Sequence, residues 1–271
     1  MSVTGREGPP PPAPEPLGVE TVDSHCHLDA MGQPVAEAVA AAQAVGVRRM
    51  ITVGDTMESS RWCAATAAAF DDVYAAVAVH PNEVADFTDA DADELAQLAT
   101  LPNVRAVGET GLDYYWGRVE RNVQQDAFRT HIEIAKRVGK ALVIHDRDAH
   151  DDVLRILDEV GAPERTVFHC FSGDISISKH CVDRGYYLSF AGTITFKNAD
   201  TLREAASIVP LEQLLVETDA PFLTPAPYRG RPNAPYLIPL TVRALAAVLR
   251  VDADDVAGAT GQNARRVFGP W

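Results

Sequence analysis

Eight strand-like runs alternate with helix-like segments along most of the chain, and this alternation limits the possible folds more than any other feature. The runs are continuously apolar, which is typical of parallel strands that are covered on both faces. They cover residues 20–28, 48–53, 73–80, 104–109, 141–145, 166–170, 186–190 and 214–217. The helix-like segments cover residues 35–45, 59–70, 91–100, 119–138, 149–160, 175–184, 198–208, 236–249 and 252–268. Eight strands that are each followed by helix predict an α/β fold, a single TIM-like (β/α)8 barrel.

Short polar motifs follow seven of these runs, from the first strand to the last. In chain order they are Asp23-Ser24-His25-Cys26-His27, His80-Pro81, Gly108-Glu109, His145-Asp146-Arg147, His169-Cys170-Phe171-Ser172-Gly173, Gly192-Thr193 and Glu217-Thr218-Asp219-Ala220-Pro221. An open doubly wound sheet, which is the alternative fold, concentrates its site at one switch point. The even distribution favours the barrel, whose active site lies at the C-terminal ends of the strands.

Length and composition indicate the domain organisation and the expected location of the protein. The chain of 271 residues suits one barrel domain over residues 19–271, preceded by a proline-rich tail over residues 1–18 that we expect to be disordered or polyproline-like. The formal net charge of −14 argues against a broad basic surface for nucleic acid. No apolar stretch reaches the ~20 residues of a membrane span, and no signal peptide is recognisable. The expectation is a cytoplasmic enzyme with no membrane association and no obligate protein partner.

The residue types at the strand ends predict a metal centre. His25 and His27 lie two residues apart, so alternation along a strand points both imidazoles to one face. His145 and His169 add two nitrogen ligands, and Glu109 and Asp219 add carboxylates. Taken singly, each carboxylate could instead be a turn or helix cap, and each histidine could be structural. Together they form a mixed nitrogen and oxygen set that suits divalent ions.

Six protein ligands exceed the three that a mononuclear catalytic zinc usually takes. They suit two ions bridged by a carboxylate, which would activate a water and polarise a phosphoryl or carbonyl oxygen. The fourth strand lacks a lysine that could be carbamylated, so Glu109 is the natural bridge. Mg²⁺, Mn²⁺ and Zn²⁺ each accept parts of this set, and the sequence does not select among them.

At these motifs the chain resembles the TatD-type metal-dependent deoxyribonucleases, a branch of the amidohydrolase superfamily. The resemblance runs from Asp23 to Phe268, and its most specific segments are Asp23-Ser24-His25-Cys26-His27-Leu28, residues 108–114 (GETGLDY), residues 169–173 (HCFSG), residues 217–223 (ETDAPFL), residues 229–235 (RGRPNAP) and residues 263–268 (NARRVF). Thr110 departs from the usual aliphatic residue, and the proline-rich tail is extra. Neither departure removes a ligand.

The resemblance implies a divalent-metal-dependent hydrolase that cleaves DNA, often as a 3′→5′ exonuclease. It implies one ion held by His25, His27, Glu109 and Asp219, and a second held by Glu109, His145 and His169. Our hypothesis is attack of a metal-bound hydroxide on phosphorus, with Asp219 orienting the water and taking its proton. Asp219 and Glu109 are therefore the predicted catalytic residues. DNA ends or single strands are the predicted substrate.

Further residues are candidates for substrate contact, each with a structural alternative. Arg147 could bind the phosphate through its planar fork, or pair with Asp146, Asp148 or Asp151. His80 could support the metal ligands or the substrate, or be a structural histidine. The loop residues Arg229, Arg231 and Asn233 could bind substrate, or could anchor their own loop. Residues 114–116 (YYW) could stack on a terminal base or pack within the loop.

Other functions remain open from the sequence. The same centre could attack a carbonyl, as in a metal-dependent ester hydrolase such as a D-aminoacyl-tRNA deacylase, a reaction also known among TatD-like proteins. A degenerate, metal-holding scaffold is a further alternative, although the complete ligand set argues against it.

Overall fold

A computed structural model describes residues 8–271 of the chain. Its strands are β1 (Thr21–Cys26), β2 (Val47–Val53), β3 (Val73–Val77), β4 (Val104–Asp113), β5 (Ala141–Arg147), β6 (Thr166–Phe168), β7 (Tyr187–Phe190) and β8 (Leu214–Val216). Its helices are α1 (Val35–Gln43), α2 (Met57–Ala69), α3 (Asp89–Thr100), α4 (Arg121–Val138), α5 (His150–Val160), α6 (Ile175–Asp183), α7 (Asp200–Ser207), α8 (Ile238–Leu249) and α9 (Ala253–Phe268). The strands form one eight-stranded sheet in chain order, from β1 to β8. The predicted fold class, a single TIM-like (β/α)8 barrel, is confirmed.

The described chain divides into two compact units. The first unit holds residues 8–51, 173–266 and 270–271, and the second holds residues 52–172 and 267–269. In the first unit β7 and β8 pair in parallel, and an isolated parallel bridge joins Cys26 at the end of β1 to Ala220 after β8. The strand residues Leu188, Phe190, Leu214 and Val216 of this unit are fully buried. Strand ends β1 and β8 therefore lie side by side.

In the second unit β3, β4, β5 and β6 pair in parallel. Strand β4 continues four residues beyond the predicted end at Glu109 and pairs with β5 as far as Asp113 opposite Arg147. The register shifts between Val107 and Thr110, so that Glu109 lies at an irregularity within the strand. A Cβ atom on Gly111, whose φ is +138°, would collide with the backbone carbonyl of His145. Glycine here allows β4 to approach β5 closely beside a predicted metal ligand.

Residues 9–16 belong to the tail that the sequence predicts to be disordered or polyproline-like, and their backbone carbonyls accept hydrogen bonds. Side chains of the first unit donate hydrogen bonds to its carbonyls: Arg231 to Pro9 (2.8 Å) and Pro10 (2.8 Å), Tyr236 to Pro11 (2.6 Å), and Arg243 to Glu15 (2.7 Å). Proline-rich extended backbone has no internal hydrogen bonds, so its carbonyls are available to external donors. Residues 9–16 therefore form an ordered strap, and residues 1–7 lie outside the described residues.

Local sequence signals explain where several helices begin. Thr56 and Ser59 form a capping box at the start of α2, and Thr88 and Asp91 form another at the start of α3. Asp174 accepts hydrogen bonds from the amides of Ser176 and Ile177 at the start of α6. Across residues 8–271, every helix is too short or too polar to cross a membrane.

His131 on α4 is fully buried and is held as a neutral imidazole. Its Nε2 accepts a hydrogen bond from the amide of Val79 (3.2 Å), so its Nδ1 carries the proton and donates to the carbonyl of Ala127 (2.6 Å). The ring also stacks on Phe87, with centroids 4.9 Å apart. Burial lowers the pKa of His131 to about 4, although the hydrogen bond to the Ala127 carbonyl opposes this change. The neutral side chain is thus part of the structural core of the second unit.

We expect this histidine to make the protein less stable as the pH falls. The unfolded chain takes up a proton near pH 6.5 and the folded chain only near pH 4, so stability is full above about 6.5 and declines as the pH falls toward 4. The upper limit of this loss is roughly 3 kcal/mol. Urea unfolding of the metal-free protein between pH 5.0 and 7.5 measures it. His131→Gln should be less stable at pH 7.5 but should show a shallower pH slope, and equal slopes would contradict this assignment.

Candidate metal centre

The first unit brings three predicted ligands together at the ends of β1 and β8. The Nε2 atoms of His25 and His27 lie 3.3 Å apart. Asp219 Oδ1 lies 3.4 Å from His27 Nε2 and 3.8 Å from His25 Nε2. Both imidazoles are buried, and the alternation along β1 does point them to one place as predicted. Three atoms with lone pairs that converge in this way match the geometry and the chemistry of a divalent cation site.

The backbone fixes this arrangement. The amide of Asp219 donates to the carbonyl of His25 (2.9 Å), and the amide of His27 donates to the carbonyl of Ala220 (2.7 Å). Asp219 has a left-handed backbone with φ of +52°, a conformation that Asp and Asn tolerate better than most residues. The turn after β8 is therefore bonded to the end of β1, and it directs the carboxylate toward both histidines.

Asp23 on β1 stabilises the same turn through hydrogen bonds to Thr218. Its Oδ1 accepts from the amides of Thr218 (2.9 Å) and His25 (3.3 Å), and its Oδ2 accepts from the Thr218 hydroxyl (2.5 Å). Complete burial raises the pKa of Asp23 to about 8, although the hydrogen bonds from Thr218 oppose that change. Asp23 is a supporting residue that is not among the site residues predicted from the sequence. Its position two residues before His25, on the same face of the strand, was the signal that could have identified it.

The second unit brings together Glu109, His145, His169 and His80. Glu109 Oε1 lies 2.6 Å from His145 Nδ1, 2.8 Å from His169 Nε2 and 3.6 Å from His80 Nε2. The amide of Asn82 donates to His80 Nδ1 (3.0 Å), so in the neutral ring the proton lies on Nε2. Ligand atoms of His80, Glu109 and His145 all lie within 4.8 Å of one another. The nitrogen and oxygen donors of this cluster also suit a divalent ion.

Burial and the neighbouring carboxylates together determine where protons lie in this cluster. Burial alone would lower the pKa of His145, but its hydrogen bonds to Asp113 and Glu109 raise it overall. Burial lowers the pKa of His80 to about 4, and the nearby His145 adds to that effect. In the ion-free cluster the two carboxylates therefore stabilise a proton on His145, whereas burial disfavours a second proton on His80. An ion that binds at His145 Nδ1 must displace a proton.

Asp113 is the residue in this cluster that the sequence analysis missed. Its Oδ2 lies 3.1 Å from His145 Nε2 and accepts from Asn82 Nδ2 (3.0 Å). Burial would raise the pKa of Asp113, but the hydrogen bond and the charge of His145 lower it to about 2. A carboxylate on the far nitrogen of a histidine ligand orients the ring and makes it a better donor. The predicted strand ended at Glu109, so the alternation was not followed to residue 113.

We expect Asp113→Asn to weaken divalent-ion binding about 10- to 100-fold, the usual effect of losing such a partner. The amide has one acceptor oxygen, which cannot serve His145 and the other donors as a carboxylate does. Competition with a chromophoric chelator measures the affinity. Asp126→Asn, at a side chain that is 79% exposed, is the matched control. Affinity equal to that of the unaltered protein would show that Asp113 does not position His145.

The residues that were predicted to contact substrate differ in whether their side chains are already held by other parts of the protein. Arg147 stacks on Tyr115, with Cζ 3.8 Å from the ring centroid, and makes no ion pair with Asp146, Asp148 or Asp151 among the described residues. Arg229 Cζ lies 3.9 Å from the ring centroid of Phe196. For these two residues a contact with substrate stays a prediction.

Arg231 and Asn233 make the contacts expected of the loop-anchoring alternative. The guanidinium of Arg231 is bonded to the strap. The buried Asn233 side chain donates to the carbonyls of Thr218 (2.8 Å) and Phe222 and accepts from the amide of Ala234 (2.9 Å). These bonds occupy both amide hydrogens of Asn233 and tie the loop to the turn that carries Asp219.

Histidine and carboxylate clusters at the strand ends of a (β/α)8 fold are typical of metal-dependent hydrolases. The model of the family described as TatD related DNase matches residues 22–269, and the chain belongs to this family. It is 49% identical over 257 residues to the uncharacterized metal-dependent hydrolase TatD of Mycobacterium tuberculosis, an alignment that covers 92% of this chain and 97% of the relative.

Two further similarities agree with this assignment. The uncharacterized metal-dependent hydrolase YabD of Bacillus subtilis is 36% identical over 249 residues, which cover 91% of this chain and 98% of the relative. The crystal structure of YjjV, a TatD homologue from Escherichia coli, superposes with a TM-score of 0.86 at 30% identity and covers 92% and 98% of the two chains. The chain is a metal-dependent hydrolase of the TatD family, and the predicted resemblance is confirmed.

Proposed function

We propose that the chain hydrolyses phosphodiester bonds of DNA and acts on DNA ends as a 3′→5′ exonuclease with two divalent ions. The observation that carries this proposal is that each unit holds its own cluster of nitrogen and oxygen donors. One cluster is His25, His27 and Asp219, and the other contains Glu109, His145 and His169. Six donors exceed the needs of a mononuclear catalytic zinc, and paired ions are typical of phosphodiester cleavage. The description of the family as DNase supports the choice of substrate.

Each cluster would hold one ion, and Mg²⁺, Mn²⁺ and Zn²⁺ are the candidates. The assignment of Glu109 as a ligand shared by both ions stays a prediction. When bound, divalent ions supply Lewis acidity that polarises the phosphoryl group and makes an attacking water more acidic. Bound ions would also offset the negative charge of the carboxylates beside the phosphodiester bond to be cleaved.

The side chains of the chain perform the proton transfer and the positioning. We propose that Asp219 is the general base that accepts a proton from the water that attacks phosphorus. Its carboxylate is 13% exposed and is fixed by the turn after β8. The new bond joins the water oxygen to phosphorus, and the bond from phosphorus to the sugar oxygen breaks in line with it. Arg147 is the proposed contact for a phosphoryl oxygen, and His80 supports the cluster around Glu109.

The test uses metal-free protein that is re-supplied separately with Mg²⁺, Mn²⁺ or Zn²⁺. Single-stranded DNA labelled at the 3′ or at the 5′ end reports both cleavage and polarity. The expected result is a metal-dependent ladder from the 5′-labelled strand and early release of the label from the 3′-labelled strand. Intact DNA with every ion would overturn the proposal. In that case, release of the amino acid from a D-aminoacyl-tRNA by the same metal-loaded protein would identify the ester hydrolase.

A further inference from the structure

Two large aromatic side chains are exposed directly after β4. Tyr115 is 56% exposed and Trp116 is 53% exposed, and their ring centroids lie 5.0 Å apart at 86°. Side chains of this size usually bury most of their surface, and adjacent exposed aromatic residues mark a surface used for binding. We call Tyr115 and Trp116, together with the arginines Arg118 and Arg147, the aromatic platform.

The backbone of the platform is fixed although its rings are exposed. Asp113 Oδ1 accepts hydrogen bonds from the amides of Tyr115 (3.0 Å) and Trp116 (3.3 Å). The preceding Tyr114 is an anchor, because its hydroxyl donates to Asp152 (2.8 Å) and accepts from Gln125 (2.8 Å). Tyr114 thus accounts for the packing of the segment, and packing does not explain the exposed rings of the next two residues. A fixed backbone lowers the entropy lost when a ligand binds to them.

The platform also carries positive charge in an acidic chain. Arg147 Cζ lies 3.8 Å from the ring centroid of Tyr115 and 5.5 Å from that of Trp116, and Arg118 Cζ lies 5.3 Å from the ring centroid of Trp116. Stacking uses the face of a guanidinium and leaves its N–H edge for a phosphate. The one ion pair in this group, from Arg118 to Glu83, is long at 4.0 Å and exposed. Aromatic faces interleaved with guanidinium groups are the combination that binds unpaired nucleotides.

The carboxylate of Asp113 connects the platform to the cluster of the second unit. Asp113 holds the platform through Oδ1 and faces His145 through Oδ2. Arg147, the last residue of β5, accepts a hydrogen bond at its carbonyl from the amide of Tyr114 (2.9 Å). The platform therefore lies beside Glu109 and His145, where a nucleotide next to the bond to be cleaved would be held.

We infer that the aromatic platform is the binding site for unpaired nucleotides of a single-stranded nucleic acid substrate. This inference rests on the proposed function and adds to it the residues that would hold the nucleotides. A base stacks on Trp116 or Tyr115, and the adjoining phosphate pairs with Arg147 or Arg118. Bases within a duplex are already stacked on one another and do not reach the rings. The small size of the platform also agrees with the net charge of −14, which disfavours a long nucleic-acid footprint.

The first test measures binding without turnover. Anisotropy of a dye-labelled oligothymidylate of eight nucleotides, in the presence of EDTA, gives affinities for the unaltered protein and for Tyr115→Ala, Trp116→Ala and Trp116→Phe. We expect each alanine variant to bind about tenfold more weakly and Trp116→Phe to retain most of the affinity, since phenylalanine keeps a stacking face. Arg147→Ala should also weaken binding, whereas Arg137→Ala, an exposed arginine on α4, should not. Alanine variants that bind within twofold of the unaltered protein would overturn the inference.

The second test separates failure of the platform from failure of the proposed function. With metal present, Trp116→Ala should raise the KM for the oligothymidylate about tenfold, whereas the control Arg137→Ala should leave both KM and kcat unchanged. An unchanged KM, or equal affinity for a blunt hairpin duplex, would overturn the platform and leave the hydrolase intact. Absence of phosphodiester hydrolysis with every metal would refute the proposed function. The affinities measured in EDTA would still show whether the platform binds unpaired nucleotides.

Discussion

Asp219→Asn should lower kcat for phosphodiester hydrolysis about 10²- to 10⁴-fold, the contribution expected of a positioned general base. The carboxylate lies 3.4 Å from His27 Nε2, and the neutral amide that replaces it cannot take a proton from the attacking water. Asparagine is the informative replacement because it tolerates the left-handed backbone at φ +52°. It also keeps the backbone hydrogen bond from residue 219 to His25.

The measurement is single-turnover cleavage of end-labelled DNA, together with the thermal unfolding midpoint in EDTA. The midpoint should change little, because an amide replaces a carboxylate of the same shape. Asp183→Asn, at an exposed carboxylate that pairs with Lys179, is the control and should keep full activity. An Asp219→Asn protein with more than a tenth of the unaltered rate would exclude Asp219 as the base.

Glu109→Gln should reduce the number of tightly bound divalent ions by at least one per chain and abolish measurable turnover. Glu109 Oε1 is the common partner of His145 (2.6 Å) and His169 (2.8 Å), and the side chain is only 5% exposed. The amide removes the negative charge at the centre of the cluster. We expect the affinity for that ion to fall at least a hundredfold, more than removal of an outer partner such as Asp113 would cost.

Equilibrium dialysis followed by elemental analysis gives the number of ions and their affinity. Glu133→Gln on α4, which alters an exposed side chain paired with Lys136, should bind ions as the unaltered protein does. Retention of two ions with unchanged affinity in Glu109→Gln would show that this carboxylate is not a ligand. Loss of binding together with loss of the folded state would call for Glu109→Asp, which keeps the charge and shortens the side chain.

The fold was predictable because its determinants repeat. Apolar runs separated by helical segments recur eight times, and each repeat adds support for parallel strands. The pair His25 and His27 was also predictable, since alternation along one strand needs no knowledge of other elements. The chemical type of the remaining ligands followed from their positions at strand ends. These are properties of short segments, which the sequence expresses directly.

What the sequence did not show depends on contacts between distant segments. The extension of β4 to Asp113 arises from pairing with β5, and the glycines at 108 and 111 resemble a turn until that pairing is known. The order of the strap depends on donors from Arg231, Tyr236 and Arg243, which lie more than 200 residues further along the chain. A proline-rich composition records only that the segment cannot build a core of its own.

The strap has a consequence for how the chain folds during its synthesis. Residues 9–16 are synthesised before their hydrogen-bond donors Arg231, Tyr236 and Arg243, and the donor to Glu15 lies 228 positions later. At translation rates of 5–20 residues per second the ribosome needs roughly 10 to 45 s to supply those partners. The hydrogen bonds of the strap therefore cannot form until residues 231–243 have emerged from the ribosome. Apart from residues 267–269, the second unit is one continuous segment over residues 52–172, and its strand partners are synthesised much sooner. Vectorial synthesis favours an order in which the cluster around Glu109 is assembled before the one around Asp219.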